Sequence, residues 1–255
     1  MFAVRRFAFA CLILACAPAA HAITFKDTTV DDPIASGAQC NVKEPQSWGG
    51  YIYQFPSKWD FAFWPKTEGI GLWFCETSGF TAFIGDFDEM TDAEKTAIRA
   101  WLATNYDASA GKADTRKRLE LLEGIYALRA KDAEFRNELL RVLAYWFDEL
   151  GDPAAANAHR QRALKEIRAF DTASLKTQQR LAYRFVAANY EREFGNDIQA
   201  DADLAELEAA LKAIDKDDET HDFAEYLRKL VPGSRTIKPG GKLAPDETPG
   251  DKEGA

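Results

Sequence analysis

A succession of helical patterns over residues 91–214 restricts the fold of this chain more than any other feature of its sequence. Apolar residues recur there every three or four positions, as the buried face of a helix requires. Thr91 and Glu94 have the spacing of a capping box, which places the first helix start at Thr91. Further helices are predicted over residues 113–130, 132–150, 153–170, 175–194, 197–214 and 220–230. The patterns together predict a helical domain over residues 91–231.

Two pairs of these helices resemble repeats when Gly151 is set against Gly195, a spacing of 44 residues. Both glycines stand where a left-handed residue ends a helix. The alignment places Ala144 with Ala188, Ala156 with Ala200 and Trp146 with Tyr190. The first pair fits the tetratricopeptide spacing, whereas the second has Leu207 where a small residue is expected. We therefore predict tetratricopeptide-like antiparallel helical hairpins; the alternative is an unrelated helical bundle with coincidental glycine caps.

The segment before the helices is rich in aromatic residues and interrupted by Gly and Pro. It holds four of the six tryptophans, between Trp48 and Trp73. Alternation in YIYQF and in GLWFC, between turn residues, predicts a small antiparallel β unit over residues 23–90. The fold class is therefore α+β, mainly α. Such aromatics are expected mainly in the core of the β unit; the alternative is a surface that stacks on a ligand, for which Trp59 and Trp64 are the best candidates.

Both ends of the chain predict segments outside the folded part. Residues 1–22 combine Arg5 and Arg6, a short apolar run and a small-residue site ending at Ala22, the pattern of a cleaved signal peptide. The alternatives are acylation at Cys16 and a membrane anchor, although the apolar run is shorter than the roughly 20 residues of a span. Residues 232–255 are rich in Pro, Gly and charge, which predicts a disordered tail. The protein is expected in the periplasm or secreted.

The charge balance excludes one class of partner. The chain carries 41 acidic against 32 basic residues, and no basic stripe is evident. Nucleic-acid binding requires clustered Lys and Arg, so we expect no nucleic-acid partner. No apolar run after the signal approaches membrane length, and no transmembrane segment is predicted in the mature chain.

Two cysteines outside the signal each begin half of a zinc-ribbon knuckle. Lys43 stands where a second cysteine would follow Cys40, and Ser78 stands in the equivalent position after Cys75. A structural zinc site needs four ligands, which two thiolates do not supply. His159 and His221 show no metal-ligand spacing. We therefore expect no metal and no other cofactor.

The order of these features resembles domain of unknown function 2225, an uncharacterised bacterial family. The resemblance rests on Cys40, Cys75, SGFTAF from Ser78, DFDEMTDAEKTAI from Asp86, and the later helical pairs, over about residues 38 to 215. The family has paired knuckles, and the first cysteines of two knuckles bind one ion. The resemblance thus implies that Cys40 and Cys75 lie close together and form a disulfide in place of the metal. A redox-active pair is the alternative, although catalytic pairs usually form a Cys-x-x-Cys motif.

Catalysis finds little support in the sequence. His159 is expected on a helix surface and His221 in an acidic stretch; neither lies beside a nucleophile motif, and no phosphate loop is present. An acid–base pair could be assembled from Asp60, Glu68, Asp86 and Asp88, but carboxylates are abundant in this chain.

Helical repeats build concave surfaces that hold peptides or proteins. We therefore expect a non-enzymatic periplasmic interaction module, whose partner is another envelope protein or peptide. Its candidate partner-binding residues are Tyr145, Tyr183 and Tyr190. The alternative is an envelope hydrolase or glycan-binding protein that acts through Trp59 and Trp64.

Overall fold

The computed structural model describes residues 25–46, 59–62, 65–87, 90–171, 174–240 and 243. A small β unit precedes a helical region, which confirms the predicted α+β, mainly α class. The predicted signal peptide, Trp64 and most of the predicted tail lie outside the described residues.

The β unit consists of two antiparallel two-stranded sheets. Strand β1 (Phe25–Asp31) pairs with β2 (Gln39–Pro45), and β3 (Leu72–Phe74) pairs with β4 (Thr81–Phe83). The indole N–H of Trp73 donates to the carbonyl of Lys43 over 3.0 Å, which joins the second sheet to the first.

Cys40 and Cys75 form a disulfide between β2 and the residue after β3, with their Cα atoms 4.8 Å apart. The predicted pairing is therefore confirmed. Ser78 occupies the position of a missing knuckle cysteine and donates a hydrogen bond of 3.0 Å to the Asp32 carboxylate. Lys43, in the other such position, lies 3.4 Å from the carboxylate of Asp27.

Seven α-helices follow within the described residues. Their bounds are α1 Asp92–Asn105, α2 Thr115–Ala127, α3 Ala133–Glu149, α4 Pro153–Ala169, α5 Thr177–Glu193, α6 Asp197–Lys212 and α7 His221–Ser234. The capping box at the start of α1 is confirmed: Glu94 N donates to Thr91 Oγ1, and Thr91 N donates to the Glu94 carboxylate. Asp152 caps α4, whose first residue is Pro153.

Helices α3 and α4 form one antiparallel hairpin, and α5 and α6 form a second at the predicted spacing. The two hairpins end their first helices in the same way, since Gly151 and Gly195 have φ of 71° and 78°. Asp152 N donates to the carbonyl of Phe147, five residues earlier, and Asn196 N makes the equivalent bond to Glu191. This is the Schellman pattern of a helix end, repeated after 44 residues.

The core forms two clusters that do not coincide with the predicted division at residue 90. The first combines the β unit with α1, α2 and residues such as Leu143 of α3. The second combines α5, α6 and α7 with residues from α3 and α4, and includes Trp59 and Phe61. The N-terminal unit therefore contributes to both clusters.

The predicted tail boundary at residue 232 is wrong. Helix α7 continues to Ser234, and Ile237 and Leu243 are buried in the second cluster. Gly240 N also donates to the carbonyl of Glu193 over 3.0 Å. Ile237 and Leu243 thus add apolar side chains to the second cluster from a stretch rich in Pro, Gly and charge.

Among the helices of the described residues, none combines the length and the apolarity that crossing a bilayer requires.

Candidate functional site

Residues 59–62 lie between helices α3, α5 and α7, and we call them the held segment. All four residues are buried, with exposures between 0% at Ala62 and 7% at Phe61. We call the surface of α3 and α5 that faces them the inner face; Asn137, Arg141, Tyr183 and Asn189 belong to it. A piece of the N-terminal part of the chain is therefore enclosed by helices that begin more than 70 residues later.

Two side chains of the inner face bind the main chain of the held segment. Arg141 Nη1 donates to the carbonyl oxygens of Asp60 and Phe61, at 2.6 and 2.8 Å. Asn189 Nδ2 donates to the carbonyl oxygen of Trp59 over 2.6 Å. Three consecutive carbonyl groups are thus bound by one residue from α3 and one from α5.

Both donors are held in position by further hydrogen bonds. Asn137 Oδ1 accepts from Arg141 Nε over 3.1 Å, while its Nδ2 donates to the carbonyl of Ala163 on α4. Asn189 Oδ1 accepts from the hydroxyl of Ser234 on α7. Because these partners are buried, each donor keeps a fixed direction.

The two aromatic side chains of the held segment pack against aromatic rings of the helices. Trp59 stacks on Phe185 with ring centroids 6.1 Å apart, and Phe61 meets the same ring edge-on at 5.5 Å. Phe61 also approaches Phe223 at 5.8 Å and Tyr226 at 6.5 Å. These contacts add aromatic pairing to the burial of both side chains.

Asp60, between the two aromatic residues, is buried beside a cluster of charged groups. Arg160 donates to the Asp148 carboxylate and lies 4.0 Å from that of Glu193. Burial raises the pKa of Asp60 to about 7, although the nearby Arg160 and Arg141 act in the opposite direction. Asp60 Oδ1 has no hydrogen-bond partner among the described residues.

An open groove of about 540 Å³ adjoins the held segment at Phe61. Its apolar floor includes Phe61, Val186 and Phe223, and its rim is polar. Much of the groove lining comes from positions of α3 and α5, or of their caps, that are 44 residues apart: Asp132 and Lys176, Glu134 and Gln178, Phe135 and Gln179. The groove therefore follows the repeat and runs along the inner face.

The three predicted partner-binding tyrosines lie in different environments. Tyr183 lines the groove with 8% of its surface exposed. Tyr145 is half-buried on α3, away from the groove lining. Tyr190 is fully buried near Asp60 and Arg160, so the expectation of a surface tyrosine is wrong there. The 44-residue alignment pairs Tyr190 with Trp146, which is only partly buried, so the alignment does not indicate that Tyr190 is fully buried.

Trp59, the candidate for a ring that stacks on a ligand, is buried as the expected core position requires, but in the helical core cluster and not in that of the β unit. Its ring is buried against Phe185 and is not available to stack on a sugar in this conformation. Trp64, the other candidate, lies outside the described residues. An aromatic residue from the N-terminal part can therefore belong to the helical core, which local composition does not indicate.

The remaining candidate acids and histidines do not form one site among the described residues. Asp86 is bound by Arg129 and Lys131, at 2.9 and 3.0 Å, in the first core cluster, whereas Asp60 lies in the second. Glu68 is exposed, and Asp88 lies outside the described residues.

The expectation of a surface position for His159 is wrong. Its ring is 7% exposed, stacks on Phe147 and approaches the carbonyl of Ala155 and the carboxylate of Glu123. The contacts of His159 are therefore those of a side chain packed in the protein interior.

A second cleft, of about 590 Å³, lies on the β unit between β2 and β3. Its charged residues largely have partners of their own: Lys43 pairs with Asp27, Lys112 lies 4.0 Å from Glu76, and Arg118 lies over the Phe74 ring. The inner face is therefore the stronger candidate, because its side chains make directed hydrogen bonds to the main chain of the held segment.

Comparison with family models, with curated proteins and with solved structures finds no match to this chain. The resemblance to domain of unknown function 2225 stays a prediction.

Sequence reasoning missed Asn137, Arg141 and Asn189. The available signal was a polar residue on the apolar face of a predicted helix: Arg141 lies between the buried residues Leu140 and Val142. Polar side chains in such positions need partners, and here the partner is the main chain of the held segment.

Proposed function

We propose that the helical hairpins form a non-enzymatic interaction module that binds a segment of another envelope protein on the inner face. The observation that carries this proposal is the held segment, whose carbonyl groups accept hydrogen bonds from Arg141 and Asn189. A surface whose side chains already bind the main-chain carbonyl groups of one segment has the chemistry to bind those of another.

The groove provides room for such a segment next to Phe61. Its floor of Phe61, Val186 and Phe223 favours an apolar side chain, while the rest of its lining carries acidic, basic and neutral polar groups. Pockets that bind ligands commonly combine an apolar lining with a few polar groups. We therefore assign the partner a segment with at least one large apolar side chain.

A location in the periplasm or outside the cell is part of the proposal. The pattern of residues 1–22 supports export, and the disulfide between Cys40 and Cys75 is of the kind that persists in oxidising compartments. A protein in this location meets other proteins of the cell envelope, and the partner is therefore assigned to that class.

Photo-cross-linking in the exporting bacterium tests the proposal. Gln178 is exposed on the groove rim, and Gln161 is exposed on α4, away from the groove. A photoreactive amino acid replaces one or the other, so that the two proteins differ only in the position of the probe. We expect one discrete adduct from position 178 and none from position 161.

Tyr183→Ala, which enlarges the groove, should lower the yield of that adduct several-fold in a protein that still unfolds cooperatively. Equal adducts from both positions, or no adduct from position 178, would contradict the proposal.

A further inference from the structure

The held segment is a buried turn that also forms part of the groove. Its carbonyl oxygens are bound by Arg141 and Asn189. Its third side chain, Phe61, lies in the groove floor, where its ring centroid is 5.8 Å from that of Phe223. The shape of the floor therefore depends on whether residues 59–62 keep this conformation.

The backbone of this turn is strained at Phe61. Its φ is 50°, and no other residue apart from glycine has a positive φ in the part of the chain that the structure describes. A bulky side chain rarely adopts this conformation, because its Cβ then crowds the backbone. The contacts of the turn offset this strain, so a weakening of those contacts favours another conformation of residues 59–62.

Asp60, which precedes Phe61, buries a carboxyl group that is poorly provided with donors. It is 3% exposed, and its Oδ1 has no hydrogen-bond partner among the described residues. In the protein interior such a group is more stable as a neutral acid than as an anion. The turn is therefore most stable while Asp60 carries a proton.

The two arginines near Asp60 have other hydrogen-bond partners. Arg141 of α3 donates through Nη1 to two carbonyl oxygens and through Nε to Asn137. Arg160 of α4 donates to the carboxylate of Asp148 on α3. Burial raises the pKa of Asp60 to about 7, because it outweighs the attraction of both positive charges.

The other ionisable groups that the structure places around Asp60, Phe61 and Arg160 add no positive charge. They come from α3, α5 and α7: Tyr145, Asp148, Tyr190, Glu193 and Tyr226. The charge of Asp148 raises the pKa of Asp60 further. Burial raises the pKa values of Tyr145 and Tyr190, which therefore stay neutral. These surroundings favour the neutral form of Asp60 up to about neutral pH.

We propose, on the basis of the function proposed above, that residues 59–62 are a proton-controlled part of the groove. Asp60 stabilises the turn on the inner face while its carboxyl group is protonated, and the turn leaves the inner face more often once this group is ionised. The groove then loses Phe61 from its floor and binds the partner less tightly. Binding of the partner segment is therefore stronger in an acidic medium than in a neutral one.

Proton linkage sets the direction and the size of this effect. In the released turn the carboxyl group of Asp60 is in water, so it loses its proton at a lower pH than in the buried turn. Between these two pKa values, each pH unit shifts the equilibrium towards the released turn by up to about tenfold. Above about pH 7 the group is ionised in both conformations, and the effect levels off.

Hydrogen exchange of the full chain measures release of the turn without a partner. The readout is the opening equilibrium of residues 59–62, obtained by mass spectrometry of peptic peptides and corrected for the intrinsic exchange rate at each pH. We expect the opening equilibrium to rise by at least about tenfold from pH 5 to pH 7 in the unchanged chain. It should stay constant in Asp60→Asn, whose side chain cannot ionise.

Residues 119–126 of α2 provide the internal control, because they lie in the first core cluster. At pH 7 the opening equilibrium of residues 59–62 in the unchanged chain should exceed that of residues 119–126 by at least about tenfold. This difference shows that the turn opens without unfolding of the core.

The adduct cross-linked from position 178 tests the consequence for the groove. Cells that export the chain are suspended at pH 5.5 or 7.5 before illumination. In the chain that carries only the probe, the adduct yield should be several-fold higher at pH 5.5. The chain that also carries Asp60→Asn should give the same yield at both pH values. A pH effect on the partner alone would appear equally in both chains.

The outcomes separate this inference from the proposed function. Local opening that rises with pH only in the unchanged chain, together with an adduct yield that falls, supports the proton-controlled turn. The inference is overturned if residues 59–62 open only together with residues 119–126, or open equally in both chains. It is also overturned if both chains give an adduct with the same response to pH, although that adduct would still support the interaction module. Absence of the adduct from both chains at both pH values would contradict the module, and the regulation with it.

Discussion

The Arg141 side chain connects two parts of the chain that are far apart in sequence. It joins α3 to two consecutive carbonyl groups of the held segment, and its own direction is set by Asn137. A buried arginine is unfavourable unless its donors find acceptors. The sequence around it predicts only an amphipathic helix, because helical periodicity reports which face is buried but not which distant group meets it.

Asp60 should make the stability of the protein depend on pH. Its pKa is raised to about 7, above the ordinary value of an aspartate, so the folded state binds the proton more tightly than the unfolded state. The free energy of unfolding should therefore fall as pH rises from about 4 to about 7 and then level off. Each unit of pKa difference corresponds to about 1.4 kcal/mol, which sets an upper bound on the order of 4 kcal/mol for the whole effect.

Asp60→Asn removes this titration and keeps the shape of the side chain. Urea unfolding of both proteins at a series of pH values should show a stability advantage of the variant that grows up to about pH 7 and is constant above it. Two curves that remain parallel over this range would contradict the assignment.

At the scale of elements, the helix bounds were the most predictable part of the fold. The capping box at Thr91 and Glu94, the Asp152 cap and the glycines at 151 and 195 are local signals, and each lies where the structure ends or begins a helix. The position of residues 59–62 was not predictable, because its contacts with Arg141 span 80 and 81 residues of sequence and leave no local pattern.

Gly151 should be sensitive to substitution because its φ of 71° lies in the left-handed region. Gly151→Ala is expected to lower the free energy of unfolding by about 1 to 2 kcal/mol. Gly69→Ala is the matched control, since Gly69 has ordinary φ and a Cβ there would meet nothing within 4 Å. Chemical denaturation of the two variants checks this, and equal effects would show that the backbone conformation is not the cause.

The disulfide between β2 and the end of β3 should stabilise the first core cluster. It closes a loop of 35 residues, for which the chain-entropy description gives about 3 to 4 kcal/mol. Cys40→Ser with Cys75→Ser should lower the free energy of unfolding by this amount, measured in urea against the unchanged chain. If a reductant destabilises the double variant as much as the unchanged chain, the effect does not come from this bond.

At the scale of the whole molecule, the composition change near residue 90 suggested two units, but the β unit and the first helices share one core cluster. The held segment then extends the N-terminal part into the second cluster. The resemblance to domain of unknown function 2225 placed Cys40 and Cys75 together, whereas no sequence feature placed Trp59 among α5 and α7. Contacts between distant parts of one chain remain the least predictable property of such a fold.

Cleavage of the signal peptide during export should give the protein a defined mass. If residues 1–22 are a cleaved signal, intact-mass measurement of the periplasmic protein should give a chain that begins at Ile23 and is lighter by two hydrogens because of the disulfide. Alkylation under denaturing, non-reducing conditions should add nothing to this mass. An acylated chain that begins at Cys16, or two alkylated thiols, would contradict this account of the location.

The most direct test of the interaction module blocks the groove and leaves the rest of the molecule unchanged. Ala182 is partly exposed on the groove lining, and Ala205 is exposed on α6, outside that lining. The measurement is the yield of the adduct cross-linked from position 178 in chains that carry Ala182→Arg or Ala205→Arg, after both are shown to unfold cooperatively. We expect Ala182→Arg to abolish the adduct and Ala205→Arg to retain it, whereas the same yield from both chains would contradict binding of a partner in the groove.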